Sequence, residues 1–109
     1  MKLIKCIIQP HKIDEVLQGL QNIVTGMTVS EVRGFGHQKG QLLLYRGREY
    51  DVSLLPKAMI EIVTDDNKVD DVVRLVIEKA RTGQIGDGRI FVLPTEENYH
   101  VRTGFMDRD

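Results

Sequence analysis

Residues Ala58 to Leu93 read AMIEIVTDDNKVDDVVRLVIEKARTGQIGDGRIFVL, a strand, a helix and a strand in succession. Ala58, Ile60 and Ile62 alternate with Met59, Glu61 and Val63, the period of a strand with two different faces. Asp65-Asp66-Asn67 then offers residues that favour a helix N-cap. Val69, Val72, Val73, Val76, Ile77 and Ala80 trace one face of an amphipathic helix. Thr82-Gly83-Gln84-Ile85-Gly86-Asp87-Gly88-Arg89 interrupts the pattern, and Ile90-Phe91-Val92-Leu93 resumes it as a strand.

Upstream, the same order repeats. Leu3 to Ile8 is apolar and β-branched, broken only by Lys5 and followed by Pro10, which predicts a strand. Ile13, Val16, Leu17, Leu20 and Ile23 recur at helical spacing over about three turns, with Gly19 weakening the helix slightly and Thr25-Gly26 ending it. Thr28 to Arg33 predicts a second strand, leading into Gly34-Phe35-Gly36. From His37 to about Leu54 no period holds, and a loop of that length in a compact chain is usually functional. An extended β-hairpin with Leu42 to Tyr45 as one arm is the plainer alternative. Pro94 to Asp109 is mostly polar and reads as surface.

The order β-α-β-β-α-β predicts the α+β, ferredoxin-like arrangement: four antiparallel strands with both helices on one face. The other face would then leave Ile7, Val29 and further apolar residues wanting a partner surface, an argument for oligomerisation. At 109 residues one domain is expected, residues 1–109. The net charge of −1 speaks against a non-specific nucleic-acid or membrane binder and gives little repulsion between copies. The single cysteine, Cys6, cannot form an internal disulfide and reads as a small buried apolar residue. No apolar stretch is long enough for a signal peptide or a bilayer span, so a cytoplasmic location without membrane insertion is the expectation.

Thr82 to Arg89 is the first candidate site. Its glycines let backbone amides approach an anion, and Arg89 adds a permanent positive charge, a pairing suited to a nucleotide phosphate. The spacing fits neither the common NTPase phosphate loop nor the dinucleotide fingerprint. A helix C-cap at Gly83 followed by a tight Asp-Gly turn accounts for the same residues without a ligand. Arg102 in Arg102-Thr103-Gly104 is a second anion candidate, of interest with Lys57 and Arg89 only if the three converge, across a subunit boundary if not within one chain.

His11, His37 and His100 match no metal-site spacing, and no nucleophile-base arrangement is visible. The case for an enzyme is correspondingly weak, and none is expected. A phosphotransfer enzyme on this fold has only Asp87 as a candidate in the loop, where capping or a ribose contact is the better reading. An RNA-binding sheet would want exposed aromatics on its central strands and a basic face, and neither is evident.

The blocks Thr25 to Gly36, Gln38-Lys39-Gly40, Leu44 to Gly47, Leu55-Pro56-Lys57 with Ile60 to Val63, Thr82-Gly83 through Val92, and Val101 to Gly104 together resemble the PII signal-transduction proteins, in family order and nearly at family spacing. The resemblance covers almost the whole chain. It implies a homotrimer with an adenine nucleotide, ATP or ADP, in each cleft between neighbours. By the same resemblance, Thr28 and Val63 surround adenine and ribose, while Gly86, Asp87, Gly88, Arg89 and Arg102 meet the phosphates. Gly36, His37 and His100 complete that nucleotide set. Gln38 would join Mg²⁺ and 2-oxoglutarate, and Lys57 the distal carboxylate of 2-oxoglutarate. The stretch 37–54 corresponds to the mobile T-loop that touches targets, with Tyr50 at the uridylylated position and Arg46 at the residue that enters ammonium transporters.

The resemblance therefore implies a regulator of nitrogen metabolism acting on a membrane transporter or a nitrogen-control enzyme. His37 and His100 stand where the family usually has arginine, and Arg89 where lysine is common. Neutral histidines near the phosphates would favour ADP over ATP relative to standard members, and binding would strengthen at lower pH. A paralogue favouring ADP or AMP and serving a different transporter is the alternative.

Overall fold

A computed structural model describes residues 1–35, 43–45, 48–50 and 54–107. Its elements are β1 (Lys2–Ile8), α1 (Ile13–Leu20), β2 (Thr28–Gly34), β3 (Leu43–Tyr45), β4 (Arg48–Tyr50), β5 (Leu55–Thr64), α2 (Val69–Ala80) and β6 (Gly88–Pro94). Four strands form one sheet in the order β2-β5-β1-β6, and every neighbouring pair is antiparallel. This is the ferredoxin-like topology. Strands β3 and β4 pair separately, Leu43 with Tyr50 and Tyr45 with Arg48, so the long connection contains a short hairpin.

Alternation decides which side is core. Ile4, Cys6 and Ile8 of β1 and Ala58, Ile60 and Ile62 of β5 are buried beneath Val16 and Leu20 of α1 and Val72, Val76 and Ala80 of α2. Removing these side chains from water is the main stabilising term, about 1.5–3 kcal/mol for each large one. Gly19 has a packing role, because a Cβ there would stand 2.9 Å from the Leu75 methyl carbons of α2.

Both helices begin in the same way. A three-residue 3-10 turn, Pro10–Lys12 or Asp66–Lys68, leads from the preceding strand into the α-helix. The turns are closed by Lys12 N–H donating to Gln9 O and Lys68 N–H to Asp65 O, each at 3.0 Å. The expected Asp65–Asn67 cap is therefore absent in side-chain form: neither Asp65 nor Lys68 makes a capping side-chain bond. Asp66 instead meets the Met1 amino group at 2.9 Å, an attraction that holds its carboxyl below the ordinary value.

Three further expectations are corrected. Helix α1 stops at Leu20, not near Ile23, because Ile23 N–H and Val24 N–H both return to the Leu20 carbonyl in a closing turn. Ile23 still packs against the core from that turn. Val29 does not lie on the uncovered face: it is paired with buried Ile60 and so shares the helix side, half-exposed because β2 is an edge strand. Strand β5 begins at Leu55, ahead of Ala58, and includes Pro56. Pro56 lies past the last β1 pair, Ile8 with Ala58, where β5 has a neighbour on one side only and a missing N–H is tolerated.

Candidate functional site

Helix α2 ends at Ala80, and Arg81 is already extended, with φ −70° and ψ 131°. The turn at Gly83 therefore stands clear of the helix and is not its C-cap. Gly83 adopts φ +89°, which turns its amide inward. The carboxylate of Asp87 fills that turn. Its Oδ2 accepts N–H of Thr82 and of Gly83, each at 2.8 Å, and its Oδ1 accepts the Thr82 hydroxyl. Partial burial pushes this carboxyl up, but the Thr82 hydroxyl and the amides of Thr82, Gly83 and Gln84 outweigh it and hold the group below its usual value.

Gly88, at φ +117°, starts β6 and pairs with Ile8. A Cβ at Gly88 would stand 1.7 Å from the Ile7 carbonyl oxygen, so no other residue permits this approach of β6 to β1. The Gly86 carbonyl faces the sheet, where it accepts from Gln9 Nε2 at 2.8 Å and Lys57 Nζ at 3.1 Å. Burial lowers the Lys57 pKa, partly offset by attraction to Asp87. Lys57 and the glycine loop thus converge. Arg89 follows on β6, exposed, opposite Ile7, and rims an apolar hollow of about 430 Å³ beside Val73, Ile77 and Val92.

A second group lies elsewhere. Thr28 and Val63 line an open hollow of about 470 Å³ with Leu3, Gly26, Met27 and Glu61. Beside it the segment after β6 folds back: Thr95 N–H donates to Met1 O at 3.2 Å, and Tyr99 bridges Met106. His100 N–H to Phe105 O at 3.0 Å and Gly104 N–H to His100 O at 2.8 Å close a turn that presents Arg102. His100 Nε2 lies 3.7 Å from Asp107 Oδ2, an ion pair when the ring is protonated.

The strand register separates the two groups. The glycine loop meets the sheet where Ile8 pairs with Ala58 and Gly88. Val63 and the Met1 contacts lie where Lys2 pairs with Thr64 and Pro94. From Ala58 to Thr64 is six residue steps along β5, about 20 Å at roughly 3.3 Å each. Within one chain, Lys57, Gly86, Asp87, Gly88 and Arg89 come together, and Thr28 and Val63 form a distant group near the segment carrying His100 and Arg102. Gly34, paired with Leu55, leads into the long connection at the Lys57 end. Gly36, His37, Gln38 and Arg46 lie outside the described residues, as does the side chain of Tyr50.

Sequence reasoning missed Gln9, whose place between β1 and Pro10 carries no local signal. It also missed the Thr82 hydroxyl as partner of Asp87, although a hydroxyl five residues before a carboxylate across two glycines is a trace of it. Among the described residues no three His, Cys, Asp or Glu side chains are grouped to hold a metal ion. No helix among them is long and apolar enough to cross a membrane.

The family model described as nitrogen regulatory protein P-II matches residues 1–105. Proteins named nitrogen regulatory protein P-II are similar over nearly the whole chain. The one from Nostoc punctiforme is 57% identical over 105 residues, 95% of this chain and 94% of its own length. That from Synechocystis is 53% identical and that from Pasteurella multocida 51%, each over 110 aligned residues covering 100% of this chain and 98% of the relative.

Proposed function

The chain belongs to the nitrogen regulatory protein P-II family, and from that premise we propose that it is a non-enzymatic sensor of adenine nucleotides in a head-to-tail homotrimer. Each cleft takes the glycine loop and Lys57 from one copy and the Thr28, Val63 and Arg102 group from the next. The observation that carries this reading is that the two groups sit toward opposite ends of the strands, Lys57 and Val63 being six residue steps or about 20 Å apart along β5, so that one copy presents a phosphate-binding end and the next an adenosine-binding end. A heterologous contact repeated around a closed ring sets one end of each copy against the other end of the next.

In that cleft Thr28 and Val63 hold the adenosine, and Arg89, Arg102 and the amides of Gly86 to Gly88 hold the phosphates of ATP or ADP. Gln38 joins Mg²⁺ and 2-oxoglutarate, with Lys57 meeting the distal carboxylate. The long connection, which leaves the sheet at the Lys57 end, reports the ligand to a transporter or nitrogen-control enzyme through Arg46, with Tyr50 as a modification site. The engagement of Asp87 with Thr82 and Gly83 supports a regulator over a phosphotransfer enzyme, since the loop's one carboxylate is occupied in holding the loop. His100 beside Asp107 supports a weaker grip on triphosphate than arginine would give.

Mixed assemblies test this. Arg89→Ala and Arg102→Ala damage opposite ends, so each homotrimer should bind ATP and ADP poorly. Unfolded together in equal amounts and refolded, they should regain about one quarter of intact clefts, since each cleft draws its ends independently from two copies. Calorimetry that finds no recovery places both ends in one copy. A strictly monomeric chain, or one indifferent to millimolar adenine nucleotide, overturns the reading.

A further inference from the structure

The glycine loop already contains an anion. Successive amides turned to one side attract negative charge, and here Asp87 supplies it from within the fold. Its Oδ2 takes both N–H groups at 2.8 Å, and its Oδ1 takes the Thr82 hydroxyl, so the first residues of the loop are clamped to the last. Hydrogen bonds to an ionised acceptor are the stronger kind. On the other side, Gln9 and Lys57 fix the Gly86 carbonyl. A trans peptide points its N–H opposite to its C=O, so that clamp also fixes the direction of the Asp87 amide, away from Gln9 and Lys57. Two clamps therefore shape the loop, and the amides of Thr82 and Gly83 are withdrawn from any incoming phosphate.

We propose that Asp87 is a positioning residue for the phosphate cradle: its side chain holds the loop without touching the nucleotide, and its charge makes each added phosphate less welcome. The inference rests on the nucleotide reading above and deepens it. The carboxylate lies within one residue of Gly86 and Gly88, and it also offsets part of the Lys57 charge, as their mutual attraction shows. A ligand with more phosphates meets more of that repulsion.

Asp87→Asn and Asp87→Ala separate shape from charge. Asparagine keeps an oxygen where Oδ2 accepts both amides and an NH₂ that donates to the Thr82 hydroxyl, so the clamp survives without its charge. It should tighten ATP more than ADP and ADP more than AMP, by about two- to threefold per phosphate charge at low salt. Alanine removes the clamp and should weaken all three by about tenfold or more, leaving adenosine binding unchanged. Thr82→Val, which keeps the fold's apolar contacts and loses only the hydroxyl, should fall between.

Amide hydrogen exchange of the ligand-free protein reads the clamp directly. Thr82 and Gly83 are exposed, so slow exchange there in the wild type and Asp87→Asn, and fast exchange in Asp87→Ala, is the expected result. Fast exchange in the wild type overturns the proposal. So does an Asp87→Asn that weakens ATP as severely as Asp87→Ala, which would make the carboxylate a direct contact to the ligand or its metal. If the wild type ignores adenine nucleotides, the nucleotide reading falls and the discriminating role with it, while exchange still decides whether Asp87 holds the loop.

Discussion

The two faces of the four-stranded sheet are made by alternate residues of the same strands, yet their chemistry is opposed. Toward the helices stand Ile4, Cys6, Ile8, Ala58, Ile60 and Ile62, all buried and apolar. Away from them stand Leu3, Lys5, Ile7, Lys57, Met59, Glu61 and Val63, none buried. Phe91 and Val63 on that open side are each 46% exposed and Leu93 is 40% exposed, a density of apolar surface that a lone soluble chain rarely maintains. The covered face accounts for the fold of one chain. The open face mixes apolar side chains with the Lys5 and Glu61 charges in register, a mixture of the kind found at protein interfaces.

Ile60 and Met59 are adjacent on β5 and point to opposite faces, so truncating each compares the faces at one place. Ile60→Ala should cost about 2–5 kcal/mol, through lost transfer energy and a cavity that the packed helices cannot fill. Met59→Ala should cost less than about 1 kcal/mol in the single chain, where its side chain is only half-buried. Urea unfolding at several protein concentrations measures both. If the open face is covered by neighbours, the Met59 effect will grow with concentration and the Ile60 effect will not. Equal, concentration-independent losses would erase the distinction between the faces.

Cys6, buried on the covered face, tests the same comparison through titration. Burial pushes the Cys6 thiol from an ordinary 9.0 up to about 11. Above pH 9 the unfolded chain releases a proton that the folded chain keeps, so this group's contribution to stability falls as pH rises to about 11. The loss is at most about 3 kcal/mol, at about 1.4 kcal/mol per pH unit. Cys6→Ala lacks the titration, so the stability gap between wild type and variant should change by that amount across the interval. Thiol reagents at pH 8 should leave Cys6 unmodified until the chain unfolds, and rapid native-state labelling would show that the covered face is open to solvent.

Much of this was legible in the sequence where one periodicity acted alone. The six principal elements follow from period two in β5, from apolar or β-branched runs in β1, β2 and β6, and from helical spacing in α1 and α2. The errors fall where two rules compete. Thr28 to Arg33 places Val29 and Val32 three apart, so alternation cannot assign a face, and the register with Ile60 decides it. Pro56 reads as a strand breaker, yet β5 tolerates it beyond its β1 partner. The glycine loop's free backbone geometry was legible, but Asp87 as the carboxylate that takes its first amides depends on a contact across five residues. The separation of Arg102 from Lys57 likewise needs the register of β1 against β5 and β6, which no local motif encodes.

The smallest effect concerns Lys5 and Glu61, directly opposite each other on β1 and β5 with Nζ 3.8 Å from Oε2. Both are partly exposed on the open face, at 40% and 31%. In a single chain such a cross-strand pair is worth about 0.2–1 kcal/mol and weakens with salt. Lys5→Glu should therefore destabilise slightly by opposing two carboxylates, and the exchanged pair Lys5→Glu with Glu61→Lys should recover most of the loss, with the coupling fading toward 1 M salt. Packed beneath a neighbouring copy, the same pair loses its water, and removing one partner strands a charge at a cost of about 3–5 kcal/mol. A coupling that is large and indifferent to salt would thus mean that the open face is interior in the working assembly, while a small, screened one would mean that this part of the sheet still faces water.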